Sequence, residues 1–194
     1  MRTLLTSILL FTIPRLGSGP PEIARLDECI QHRFVDRTSF GMSRILPGER
    51  HGVRTFRPEN PTEQSVVDTL RANGYQVALF LVGRNAMTSS PGLGYDSRRL
   101  GLQGPAFITP LTADLPDRDA LLAESREALR KGEPYTVRQG DWTVTWKPLR
   151  ASDSACLQCH TSGIAVLSSP LQTAGETLKV GDTLGVAVYL YKLR

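Results

Sequence analysis

The segment Cys156-Leu157-Gln158-Cys159-His160 constrains this chain more than any other stretch. Two cysteines at i and i+3, followed directly by a histidine, are typical of covalent haem attachment in c-type cytochromes. In that chemistry each cysteine forms a thioether bond to the porphyrin, and the histidine is an axial ligand of the iron. We therefore predict one covalent haem c, held by Cys156 and Cys159 and ligated by His160.

A C-x-x-C pair by itself also occurs in redox dithiols and in zinc sites. Zinc normally requires a second pair of Cys or His ligands, and the rest of the chain offers only Cys29, His32 and His51. A non-haem thiol protein, whose C-x-x-C pair is a disulfide and whose body binds a partner, remains an alternative.

The first residues indicate an exported protein. A positive Met1-Arg2-Thr3 precedes the apolar run 4–13, which has the length of a secretory signal and is shorter than the roughly 20 apolar residues that span a bilayer. The following Pro- and Gly-rich stretch contains no clean A-x-A cleavage site. We predict a signal peptide or weak N-terminal anchor at 1–19 and one periplasmic or otherwise exported domain at 20–194, which contacts a membrane only through an uncleaved leader.

The composition is that of an ordinary globular domain, with 40% hydrophobic and 22% charged residues among 194. The formal net charge of +4 is scattered along the chain, so no basic stripe or cluster indicates nucleic-acid binding. We expect no nucleic-acid partner.

Apolar spacing predicts three helices, at 22–34, 61–73 and 117–131. Asn60 and Pro61 begin the second, with Glu63 placed to reach back to the cap, and Gly74 and Gly132 end the second and third. Strands are predicted at 76–82, 107–109, 135–139, 142–149 and 184–192. A loop with at most short strands is predicted at 41–57, and a long surface loop at 83–105. Trp142 and Trp146 share one face of a hairpin strand, either as a wall of the haem pocket or as plain core.

The order of these elements excludes the common small cytochromes. A class I cytochrome c has its motif near the N-terminus and a methionine ligand downstream, whereas Met1, Met42 and Met87 all precede this motif. Cytochromes c′ are four-helix bundles, and this motif has strands on both sides. A di-haem peroxidase needs two motifs.

Residues 54–63, the hairpin ending in Lys147-Pro148-Leu149, the C-x-x-C-H segment and 181–186 together resemble a bacterial family of single-haem c-type proteins with a PAS-like fold. The resemblance covers about residues 22–194. It implies an α+β protein whose PAS-like antiparallel sheet, flanked by helices, holds the haem on one face. It also implies a distal iron ligand from the N-terminal helix, and Cys29 matches by position.

Other distal ligands remain open: His32, His51, Met42, Met87 or an open, water-bound site. Without iron, Cys29 is read as a small buried hydrophobe. Arg54 and Arg57 are candidates to pair with the haem propionates, with ordinary surface charge as their alternative.

We expect a function in redox sensing, diatomic gas sensing or single-electron transfer, with a redox partner or a separate signalling protein. The alternative is a haem enzyme of peroxidase or reductase type with an open distal site. The sequence contains no distal His/Arg pair at a defined spacing that would favour it.

Overall fold

A computed structural model describes residues 19–36, 54–83, 102–154, 156–157 and 178–194. Residues 1–18 of the predicted leader lie outside this range, as do Met42, His51 and Met87. The described elements, in chain order, are α1 (Pro21–Asp36), β1 (Arg54–Thr55), α2 (Pro61–Ala72), β2 (Tyr75–Gly83), β3 (Leu102–Phe107), α3 (Arg118–Lys131), β4 (Tyr135–Gln139), β5 (Trp142–Arg150) and β6 (Thr183–Leu193).

In the described part of the chain the strands form one sheet of order β1-β3-β2-β6-β5-β4. The five longer strands pair antiparallel, and the two-residue β1 lies parallel to β3 at one edge. The predicted α+β class is confirmed, and the antiparallel sheet with helices is consistent with a PAS-like fold. None of the described helices has the length and apolar character needed to cross a bilayer.

The helix ends follow the capping signals. The Asn60 side chain accepts the backbone N–H of Glu63 at 2.9 Å, and Asp117 caps α3 in the same way. Gly74 and Gly132 adopt positive φ after α2 and α3, as predicted. The prediction that the Glu63 side chain reaches back to the cap residue Asn60 is wrong. Its carboxylate accepts the backbone N–H of Glu59 instead.

One strand lies where the sequence predicts loop. The segment 83–105 was expected to be irregular, yet β3 begins at Leu102 and includes Gly104 and Pro105. The register of β2 against β3 shifts between Leu79 and Leu81, opposite these two residues. Such an irregularity lets a strand contain a proline, which has no N–H to donate to the ladder.

The two faces of the sheet form separate cores. Helices α1 and α2 cover one face, which includes Leu79, Leu149 and Cys156, and α3 covers the other. Trp142 and Trp146 lie under α3, where Trp146 donates to Ser125 Oγ at 3.0 Å. The plain-core alternative for the tryptophans is therefore correct. The tryptophans form no wall beside Cys156, which packs on the opposite face.

We predict that Gly185→Ala destabilises the fold. Gly185 pairs with Gly83, and a Cβ at this position would lie 2.7 Å from the carbonyl oxygen of Val82. Because the obstruction is backbone, β2 and β6 must separate, at a cost of about 1–3 kcal/mol in the free energy of unfolding. Denaturant titration checks this against Leu193→Ala, an exposed position on the same strand where we expect about 0.5 kcal/mol or less. Equal stability of the two variants would contradict the packing argument.

Candidate functional site

Cys156 is held at the start of a short helical turn after β5. The Asp153 carboxylate accepts the backbone N–H of Cys156 at 3.3 Å, as a helix cap does. Ser152 Oγ lies 3.5 Å from Cys156 Sγ. The side chain is buried in the core beneath α1, and Leu157 packs against the same core. The first cysteine of the C-x-x-C-H segment is thus part of the hydrophobic core. Cys159 and His160 lie outside the described residues.

Helix α1 carries Cys29 beside the core rather than within it. Ile23, Leu26, Ile30 and Phe34 form the apolar stripe that packs on the sheet. Cys29 lies off this stripe, half-buried, and faces a groove between α1 and the start of α2. The groove has a volume of about 280 Å³ and is lined by Arg25, Glu28, Cys29, His32, Asn60, Thr62 and Glu63.

A buried ion pair closes the groove on its inner side. Arg33 and Glu63 have side chains only 4% and 2% exposed. Arg33 Nε donates to Glu63 Oε1 at 2.7 Å, and Arg33 Nη2 donates to Glu63 Oε2. The guanidinium also donates to the backbone oxygen of Arg57 at 2.8 Å and lies 4.4 Å from the centre of the Phe56 ring. This bidentate, stacked geometry suits arginine and would not suit lysine.

Sequence reasoning missed this pair. Glu63 was interpreted only as part of a helix cap, and Arg33 was given no role. A signal does exist: Arg33 lies three residues after Ile30, beside the apolar stripe of α1, and a charge buried there needs an opposite charge. Its partner lies 30 residues away, which local spacing does not reveal.

The other flank of α1 is hydrogen-bonded to the sheet. Gln31 donates to the backbone oxygen of Pro148 on β5 at 3.1 Å, and the Tyr189 hydroxyl on β6 donates to Asp27 Oδ1 at 2.8 Å. Burial raises the pKa of the Asp27 carboxyl and, together with the nearby Asp27, raises that of Tyr189 well above its usual range. Both groups therefore favour the neutral form more than they would in water.

The electrostatic surroundings of Cys29 are mixed. Burial raises the pKa of its thiol above the ordinary value, the Glu63 carboxylate raises it further, and the Arg33 guanidinium opposes both effects. The thiol therefore keeps its proton at neutral pH unless a bound cation replaces it. His32 lines the same groove but is exposed.

Of the two arginines named from the sequence, Arg57 does not line this groove. Arg57 is exposed and contributes its backbone oxygen to Arg33. Arg54 begins β1, and its side chain lies outside the described part of the structure. Their pairing with haem propionates stays a prediction.

The donor chemistry of the described residues fits a c-type haem. Cys29 and Cys156 are free thiols, and thiol sulfur forms the porphyrin thioethers and can also ligate iron. Among the described residues, no three His, Cys, Asp or Glu side chains are grouped so that they could hold a metal ion by themselves. No protein-family model, curated protein or solved structure matches the chain.

We predict that breaking the buried pair is costly. Arg33→Met leaves the Glu63 carboxylate buried without its guanidinium, which typically costs about 3–5 kcal/mol. In Arg33→Met/Glu63→Leu no charge is left unpaired, so stability should recover much of this loss. Denaturant unfolding of the two variants measures the difference. Arg130→Met, which breaks an exposed pair with Glu127, is the control and should leave the midpoint unchanged. A double variant no more stable than Arg33→Met would contradict the charge argument.

We also predict slow alkylation of Cys29 at neutral pH. Only the thiolate reacts, and a raised pKa lowers the thiolate fraction at any given pH. In Cys156→Ala/Cys159→Ala the sole remaining cysteine is Cys29. Its iodoacetamide rate at pH 8 should lie below that of the same chain in denaturant and should still be rising above pH 9. A rate that levels off below pH 8.5 would contradict the predicted direction of the shift.

Proposed function

We propose that this chain is an exported mono-haem c-type protein with a PAS-like fold that acts in redox or gas sensing or in single-electron transfer. Cys156 and Cys159 would hold the haem through thioether bonds, and His160 would ligate its iron. A bound haem iron would supply a one-electron redox centre with a coordination position that a diatomic gas can reach. The proposal rests on the C-x-x-C-H sequence together with the position of its first cysteine.

One observation carries the structural part of the proposal. Cys156 is buried on the face of the sheet that α1 and α2 cover, and Cys29 lies on α1 beside that same face. An anchor from the end of β5 and a distal ligand from α1 would therefore approach from one side of the sheet. The opposite face is filled by the tryptophans and α3.

Cys29 is a better candidate than His32 for the distal iron ligand. Its thiol is half-buried beside the Arg33–Glu63 pair, whereas His32 is exposed on the rim of the groove. A thiolate ligand donates charge to iron and favours the oxidised state, which suits a sensor or a low-potential carrier. The raised pKa of the free thiol gives Cys29 a tendency to take up a proton when a ligand bond weakens. That tendency would allow Cys29 to dissociate from the iron.

The partner in this proposal is a separate redox or signalling protein. A diatomic gas is the small ligand. The predicted leader supports the periplasm or another exported location, because attachment of haem c in bacteria takes place on the outer side of the inner membrane.

The test is to produce the protein with a cytochrome c maturation system and to record absorption spectra of both oxidation states, with and without carbon monoxide. We expect covalent haem that survives denaturing electrophoresis, a low-spin oxidised spectrum, and carbon monoxide binding only after reduction. Cys29→Ser should change the oxidised spectrum, and the control His32→Asn should not. A high-spin protein that binds ligands in both the oxidised and the reduced state would favour the enzyme alternative. A chain without covalent haem would contradict the proposal.

A further inference from the structure

The end of α2 carries an asparagine followed by a glycine, which is a chemically labile pair. Asn73 precedes Gly74, whereas the other two asparagines of the chain, Asn60 and Asn85, precede a proline and an alanine. The backbone nitrogen after an asparagine can attack the side-chain amide carbon, and a glycine nitrogen does so most readily because no Cβ hinders it. Asn73 is exposed, Gly74 lies at positive φ, and open space surrounds the position that a Cβ would take. The surroundings of this pair therefore leave room for the attack.

Two hydrogen bonds hold this pair in a geometry that slows the reaction. The Asn73 side-chain amide donates to Glu22 Oε1, in the first turn of α1, at 3.2 Å. The backbone N–H of Gly74 donates to the carbonyl oxygen of Arg71 at 3.0 Å. The ψ angle of Asn73 is 3°, which places the Gly74 nitrogen away from the side chain, so the attack requires rotation about the Cα–C bond. Because that rotation breaks the hydrogen bond to Arg71, the reaction depends on local opening of the last turn of α2.

We propose that Asn73 is a site of spontaneous deamidation and that the product weakens the junction between the end of α2 and the start of α1. The Gly74 nitrogen forms a bond to Asn73 Cγ and loses its proton, the Cγ–Nδ2 bond breaks, and ammonia leaves. Water then opens the cyclic imide at either carbonyl, which leaves an aspartyl or an isoaspartyl linkage at position 73. Water is the co-reactant, and no electrons are transferred.

Either product places a negative charge where the structure has a hydrogen-bond donor. The new carboxylate faces the carboxylate of Glu22, so an attractive contact becomes a like-charge contact. It also lies at the C-terminus of α2, where the helix dipole disfavours negative charge. The isoaspartyl linkage adds one carbon to the backbone, which displaces the Gly74 N–H from Arg71. Helix α1, which carries Cys29, is then held less firmly at its first turn.

The reaction is followed by incubating the full chain at pH 8, folded and in denaturant, and mapping its peptides by mass spectrometry. We expect Asn73 to gain the mass that replaces an amide by a carboxyl, more slowly in the folded protein than in denaturant. Glu22→Ala should speed the reaction of the folded protein by about two- to tenfold, the factor that one net hydrogen bond represents, and should leave the rate in denaturant unchanged. Asn60, exposed at the other end of α2, is the internal control, because the nitrogen of Pro61 carries no hydrogen to lose.

The effect of the product is measured by denaturant unfolding of two variants. Asn73→Asp and Asn73→Ser both lose the amide donor, but only the first gains a charge, so its midpoint should be the lower of the two. Glu22→Gln/Asn73→Asp should recover the difference. A folded protein that stays unmodified while the chain in denaturant converts completely, an unchanged rate in Glu22→Ala, conversion of Asn60 at the rate of Asn73, or equal midpoints for the two single variants would each overturn the inference.

Discussion

The pairing of β2 with β6 is the constraint on which the rest of this structure depends. The two strands are paired from Tyr75 to Gly83 and are buried almost throughout, on both faces. A strand buried on both faces needs cover on both sides, since its apolar side chains alternate between them. Helix α3 covers one side, and α1 with α2 covers the other. This division places Cys156 and Cys29 on a common side and the tryptophans on the opposite one.

The parts that local chemistry determines were predicted well from the sequence. The cap at Asn60, the left-handed glycines 74 and 132, and the β4–β5 hairpin each depend on residues within a few positions of one another. The loop predicted around Pro105 was wrong, because the effect of a proline on a strand depends on how that strand pairs with its neighbour. A proline interrupts a regular strand but fits at a bulge, and here β3 has two residues, Gly104 and Pro105, opposite the single Phe80 of β2.

The candidate site was predictable only in its covalent motif. The spacing of Cys156, Cys159 and His160 follows from bond geometry, and local sequence suffices to recognise it. The groove beside Cys29 comes from the packing of two helices joined by Arg33 and Glu63, which are 30 residues apart. A hydrophobic pattern places α1 on the sheet but does not say which helix lies along its flank. Sequence reasoning could therefore name Cys29 and could not describe its surroundings.

The polar contacts of α1 give Cys29 a direction that apolar packing would not. Burial of the stripe from Ile23 to Phe34 is non-directional, so by itself it leaves the helix free to turn or slide by small amounts. Gln31 and Asp27 fix one flank to the sheet, and Arg33 fixes the other to α2. Hydrogen bonds on both flanks oppose rotation in either sense, because each is lost when the helix turns by more than a few tens of degrees. The orientation of the Cys29 thiol into the groove therefore depends on residues that flank the cysteine at two to four positions along the helix.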